Sequence, residues 1–329
     1  MSSFPQVAND LQAALAQEEW VSLEQDHNHT SLFDSSYRLL SVIGRGRYSI
    51  VYSARRITAR SANDGGLDPS GRDLAIKILT RSRATMAQQL GKEGLAMLLC
   101  EGAGVVRLFD YVSSGESSYL TMELMEGGSL ANLLATRTRP IRADRALQVI
   151  LQVLDGVEQI HRAGVIHRDI KPDNLLVSRS GEIKIADFGA CFLPTDGLGD
   201  SNFARGIGTL DYLAPECITG SGICEATDIY SLAVTLFQLL TLRLPVKGNS
   251  IGAIVDRKLS GQTLPLAQFL DNAPGALVHL CEKSLATDPR DRFQSVSQFR
   301  RALLRVLAMK KTEFVSPKSN LFFPEPSAT

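Results

Sequence analysis

The sequence predicts an α+β fold in two parts, a small antiparallel sheet with one main helix followed by a larger, mostly helical part. Three observations predict it. Apolar runs are short and β-rich up to Glu126; beyond Gly127-Gly128 they recur at helical spacing; and 329 residues with 44% hydrophobic content are enough to build a sizeable core.

The expected strands are Leu39 to Ile43, Ile50 to Ala54, Leu74 to Leu79, Val105 to Tyr111 and Tyr119 to Leu124, with one helix at about Met86 to Leu99. Asn63-Asp64-Gly65-Gly66 and Pro69-Ser70-Gly71 mark a long turn between the second and third strands, read as a tolerated insertion rather than a docking feature. In the second part Ala146, Val149, Ile150, Val153, Leu154, Val157 and Ile160 recur at three- and four-residue steps. Met122 to Gly128 is a short connector, and a cleft between two domains is a usual place for a ligand. The longest apolar stretch, around Ile229 to Leu242, is broken by Ser231, Thr235, Gln238 and Thr241. It falls short of the ~20 residues a bilayer crossing needs and reads as a buried helix, so no membrane span is expected.

The 35 basic and 35 acidic residues cancel, leaving no global field to hold nucleic acid or an anionic membrane. Met1 to Asp26 lacks the basic start, apolar core and small-residue cleavage site of a secretory signal, so a cytoplasmic location is expected. Cys100, Cys191, Cys217, Cys224 and Cys281 are scattered without a Cys-x-x-Cys pair, which suits reduced thiols and plain packing. His27 and His29 have no further ligand at suitable spacing and read as a solvated loop.

Three segments carry chemistry. Gly44-Arg45-Gly46-Arg47-Tyr48-Ser49-Ile50-Val51 is a glycine-rich turn between strands, where φ > 0 is permitted and backbone amides can approach phosphate oxygens. Alone it is weak, and a dinucleotide fold would need a helix next, whereas Ile50 to Ala54 reads as a strand. Lys77, alone in an apolar strand, needs an anionic partner if it faces inward; Glu93 on the following helix is suitably placed. The third is His167-Arg168-Asp169-Ile170-Lys171-Pro172-Asp173-Asn174, then Asp187-Phe188-Gly189, then Gly208-Thr209 through Ala214-Pro215-Glu216.

In this order the segments resemble the eukaryotic-type (Hanks-type) serine/threonine protein kinases, over roughly Tyr37 to Leu307, in a style similar to soluble bacterial members. The resemblance implies the two-lobed kinase fold: an N-terminal extension over 1–36, a kinase domain over 37–308 split into an N-lobe at 37–124 and the hinge end with the C-lobe at 125–308, and a tail over 309–329. It implies ATP and Mg2+, protein substrates, a cognate Ser/Thr phosphatase and a signalling role.

Residue by residue, the resemblance makes Gly44, Gly46 and Ser49 the phosphate cover, Lys77 the α,β-phosphate ligand and Glu93 its orienting partner. Asp169 becomes the base, Lys171 the γ-phosphate contact typical of Ser/Thr kinases, and Asn174 with Asp187 the metal ligands. Met122, Glu123 and Met125 resemble the adenine hinge, with Val51, Ala75 and Leu176 about the ring. Asp228 resembles the anchor of the catalytic loop, Glu216 would pair with Arg292, and the Gly208 to Glu216 segment would form a peptide platform. Ser201, Thr195 and Thr209 are candidate phosphate acceptors, with Ser201 favoured and Arg168 the residue that would pair with the phosphate. Ser49 in place of a third glycine and Ala233 on the buried helix depart from the family pattern without removing charge chemistry. The rival class is a pseudokinase scaffold, which typically lacks at least one of Lys77, Glu93, Asp169, Asn174 and Asp187; all five are present.

Overall fold

The computed structural model describes residues 32–33, 36–46, 48–57, 73–80, 84–114, 117–196, 210–220, 222–270 and 273–309. They form two compact units, one of 32–101 and 106–125, the other of 102–105 and 126–309.

The first unit is a sheet of order β1-β2-β3-β4-β6-β5, every neighbour pair antiparallel. Its strands are β1 (Leu32–Phe33), β2 (Tyr37–Arg45), β3 (Ser49–Arg56), β4 (Asp73–Leu79), β5 (Leu108–Ser114) and β6 (Ser117–Glu123), and α1 (Ala84–Leu99) lies between β4 and β5 in the chain. Successive side chains alternate between faces, so one face collects Leu74 and Ile76 of β4 with Tyr37, Leu39, Ala54 and Tyr119 as a core. The other face carries Ala75 and Lys77. The strand expected at Val105 to Tyr111 instead begins at Leu108, because Val105 pairs with Ile185 of the second unit in an isolated parallel bridge. The long turn expected at Asn63 to Gly71 lies outside the described residues.

In the second unit α2 (Leu130–Ala135), α3 (Ala143–Arg162), the hairpin β7 (Leu175–Val177) and β8 (Ile183–Ile185), α4 (Pro215–Thr219), α5 (Glu225–Thr241), α6 (Ile251–Leu259), α7 (Gly275–Ser284) and α8 (Val296–Met309) follow in order. The seven periodic residues expected on one helical face, Ala146 to Ile160, are all buried on α3. On α5 nearly every side chain is buried, as expected of a helix surrounded by protein. The hydroxyls that interrupt its apolar run turn back on the helix: Thr235 donates to the Ser231 carbonyl at 3.0 Å and Thr241 to that of Phe237 at 2.8 Å. Among the described residues no helix is long and apolar enough to cross a membrane.

Gly104 and Gly156 let the 102–105 segment approach α3 closely, since a Cβ on Gly156 would lie 2.4 Å from the Gly104 carbonyl oxygen. On α8, Val296, Phe299, Leu303 and Val306 are buried at helical spacing, while Arg300 reaches Asp155 of α3 at 2.8 Å.

Candidate active site

In the sheet unit, strand register gathers the expected nucleotide-binding residues on one face. Gly44 stands opposite Val51, Val51 opposite Lys77 and Lys77 opposite Leu120, a row across four strands; in the next row Ala75 faces Met122. Period-two alternation keeps Ala75 and Lys77 together, and a one-residue slip would send both to the opposite face. Lys77 Nζ donates to both oxygens of Glu93 on α1, at 2.7 and 2.8 Å, with the carboxylate almost fully buried. This satisfies the requirement that an inward ammonium find a carboxylate.

The glycine turn differs from expectation in one respect. Neither Gly44 nor Gly46 adopts a positive φ. The Gly46 N–H closes the turn on the Ser49 carbonyl at 2.8 Å, and a Cβ on Gly46 would press to 3.0 Å from the Ser49 hydroxyl. Close approach, rather than left-handed backbone, is what a side chain there would disturb; Arg47 lies outside the described residues. At the end of β6 the Glu123 N–H donates to the Arg107 carbonyl at 2.9 Å, and Met122 and Met125 are buried.

In the helical unit the loop after α3 brings three of the expected residues together, and Asp187, just after β8, acts on them electrostatically. Lys171 Nζ donates to both Asp169 oxygens at 2.9 and 2.8 Å, and the Asn174 amide donates to the Asp169 carbonyl and Oδ2 at 2.8 and 2.9 Å. Burial pushes the Asp169 carboxyl above the usual carboxylate range and Asp187 adds to this, while Lys171 opposes both. Ala186, just before Asp187, donates its N–H to the Asn174 carbonyl at 2.9 Å, which joins the two expected metal ligands through the backbone. Leu176 sits on β7, half-buried.

Two of the three non-glycine residues with positive φ among the described residues are here, Arg168 at 65° and Asp187 at 62°. Such conformations persist where surroundings over-determine them. Asp228 on α5, completely buried, does so for Arg168: its two oxygens accept from the His167 N–H at 3.0 Å, the Arg168 N–H at 2.8 Å and His161 Nε2 at 2.8 Å. His167 donates from Nε2 to the Ala186 carbonyl and accepts at Nδ1 from Asp169 N–H, both at 3.3 Å, with its ring edge-on to buried Phe188. His161 is a support that sequence reading did not identify, and His167 was read only as part of its motif, without this role.

The Arg168 guanidinium donates to the carbonyls of Ala190 at 2.6 Å and Cys191 at 3.2 Å. Thr195 is exposed in the turn closed by Asp196, whereas Ser201 and Thr209 lie outside the described residues, as do His27 and His29. Cys191 and Cys217 are buried, and burial pushes the Cys217 thiol up, away from thiolate chemistry. Glu216 and Arg292 form the expected pair, with two contacts of 2.7 Å.

The donors at Asn174 and Asp187 suit Mg2+. It takes one or two protein oxygen ligands and completes its shell with water and phosphate. The Asn174 amide nitrogen is committed to Asp169, which orients its carbonyl oxygen away from that carboxylate. Among the described residues no cluster of three or more His, Cys, Asp or Glu could hold a metal by itself.

The family described as "Protein kinase domain" matches residues 37–303. The chain is 31% identical to the serine/threonine-protein kinase Pkn1 of Myxococcus xanthus over 281 residues, 83% of this chain and 38% of that protein. It is 31% identical to PknL of Mycobacterium tuberculosis over 275 residues, 82% of this chain and 65% of that protein. With PrkC of Bacillus subtilis it shares 30% identity over 263 residues, 79% of this chain and 38% of that protein. The chain therefore spans less than two thirds of the length of these relatives. A sheet unit with one main helix, a mostly helical unit, and a match from 37 to 303 together establish that the chain belongs to the protein kinase family, with its two-lobed α+β fold.

Proposed function

We propose that this chain transfers the γ-phosphate of ATP to serine and threonine hydroxyls of proteins. The observation that carries the reading is the constellation around Asp169: a carboxylate held by Lys171 and Asn174, beside Asp187, on a backbone fixed by Asp228. Phosphoryl transfer needs positioning and neutralised charge rather than covalent chemistry, and each group fits one such task. Asp169 would accept the proton of the substrate hydroxyl and aim its oxygen, an effect typically worth ~10²- to 10⁴-fold. Lys77, oriented by Glu93, would bind phosphate oxygens, with Gly44, Gly46 and Ser49 as their cover, while Val51, Ala75, Met122, Glu123, Met125 and Leu176 would receive adenine. Mg2+ on Asn174 and Asp187 would supply charge neutralisation on the phosphate oxygens.

The same reading places the catalytic domain at 37–308 and the chain in a cytoplasmic signalling role, opposed by a Ser/Thr phosphatase. It includes autophosphorylation at Ser201, supported by the Arg168 guanidinium at the start of the segment that leads there. Mass spectrometry of protein made with ATP should find phosphate at Ser201, and its absence removes this part alone.

The deciding experiment is transfer of labelled γ-phosphate from Mg-ATP to the chain itself and to myelin basic protein, followed by acid hydrolysis. Phosphoserine or phosphothreonine, lost in Asp169→Asn, is the expected result. Undiminished transfer by Asp169→Asn would refute the mechanism, and nucleotide binding without transfer would favour a scaffold.

A further inference from the structure

Among the described buried charges that the chemistry above does not use, Glu216 and Arg292 pair with each other, whereas Lys258 is held without a carboxylate. Lys258, next to the last residue of α6, is only 2% exposed. An ammonium so deep is costly unless it is hydrogen-bonded, and its partners are two carbonyls and a hydroxyl rather than a carboxylate. Nζ donates to the carbonyls of Asp211 at 2.8 Å and Leu213 at 2.9 Å, with the Tyr230 hydroxyl at 3.3 Å. It also lies over the Tyr230 ring, 4.9 Å from the centroid.

The intervening carbonyl, that of Tyr212, is captured at 3.0 Å by the Ser231 hydroxyl of α5. Three successive carbonyls, at 211, 212 and 213, are thus each held by a side chain from a helix of the same unit. Around them Leu210 and Leu213 pack on Val255, Ile251 and Ile254 of α6. Turns ordinarily satisfy their carbonyls with water or local N–H groups; capture of three in a row fixes the path of the backbone itself.

We propose that Lys258 is a positioning residue for the protein substrate, holding the backbone of 210–213 in the shape on which the acceptor polypeptide docks. The inference rests on the kinase reading, in which this segment is the peptide platform, and adds the group that sets its shape. Burial pushes the ammonium down to about 7; Asp211 pulls it up, and Arg292 pushes it further down. Glu216 and Cys217 also face it and pull it up. Either protonation state fits, because a neutral amine keeps two N–H donors for the carbonyls and can accept from the Tyr230 hydroxyl.

The test compares wild type with Lys258→Met and Lys258→Gln. For each, KM and kcat are measured with myelin basic protein and with ATP, together with the slow hydrolysis of Mg-ATP by water and the unfolding midpoint. Lys258→Met should raise KM for the protein about tenfold while KM for ATP and the hydrolysis rate stay within about twofold, since only the protein's binding is disturbed. Lys258→Gln, which keeps two N–H donors, should lie between it and wild type. Unchanged KM for the protein, an equal fall in ATP hydrolysis, or failure of both variants to fold would overturn the proposal in favour of a purely structural lysine. Absence of any transfer by wild type would instead overturn the kinase reading on which it rests.

Discussion

Arg292→Met should destabilise the helical unit severely, and the size of the loss follows from a count of donors. The guanidinium has five N–H groups, and all five are used. Nε donates to the Ala286 carbonyl at 2.7 Å, one terminal nitrogen to Glu216 Oε1 at 2.7 Å and the Ala226 carbonyl at 2.9 Å, the other to Glu216 Oε2 at 2.7 Å and the Thr287 carbonyl at 2.9 Å. The side chain is wholly buried, so no water can replace it. Removing one partner of a buried pair costs ~3–5 kcal/mol because the other charge is stranded. Three carbonyls lose a donor besides, at ~1–3 kcal/mol for any left unsatisfied. Against a typical total stability of ~5–15 kcal/mol, the lower figure alone consumes a large part. In a domain of this size it lowers the melting temperature by on the order of 10 °C. Urea and thermal unfolding of wild type, Arg292→Met, Glu216→Met and the double variant measure the effect. The double variant should recover part of the loss, because no charge is left behind. A single variant within about 1 kcal/mol of wild type would refute the reasoning.

Two further outcomes follow from other contacts. Gly156→Ala places a Cβ 2.4 Å from the Gly104 carbonyl oxygen and 2.9 Å from Ile185 Cδ1, and backbone cannot yield as a side-chain tip does; a loss of ~1–3 kcal/mol is expected in urea unfolding, and an unchanged midpoint would contradict the close approach. Complete burial pushes the Asp228 carboxyl up, but the His161 hydrogen bond and charge, together with His167, bring it below the usual range. A depressed pKa contributes stability that is present above the unfolded value of ~3.9 and is lost as pH falls through the folded one. Asp228→Asn should therefore be less stable than wild type at pH 7, with the gap closing below about pH 4; a gap constant with pH would argue against the charge being the source.

Much of the sheet unit was legible because its signals are local. The apolar run Leu74 to Leu79 and the lone Lys77 within it are read from neighbouring residues, and strand pairing then places Ala75 opposite Met122. The start of β5 was misplaced because Val105 satisfies strand propensity yet pairs with Ile185, eighty residues on. Tertiary context overrides propensity in just such short apolar runs. In the candidate site, the family resemblance named Asp169, Lys171, Asn174 and Asp187 and the anchor Asp228, but not the part that the two histidines play. Nothing near His161 or His167 in the chain indicates Asp228, because the three meet only when α5 is buried beneath the loop.

The sequence by itself determined the family resemblance, the order of the chemical groups and the helical or extended character of the main stretches, since each motif and each periodic run is carried by residues close together in the chain. The resemblance named Asp228 as an anchor of the catalytic loop, but only the tertiary structure decided which backbone it holds under strain and what holds the carbonyls of 211 and 213. The left-handed φ of Arg168 is offset by an aspartate 60 residues away, and the carbonyls of 211 and 213 by a lysine 47 and 45 residues away. Such contacts depend on where packed helices bring their side chains, and a buried polar group must find a partner wherever the fold supplies one.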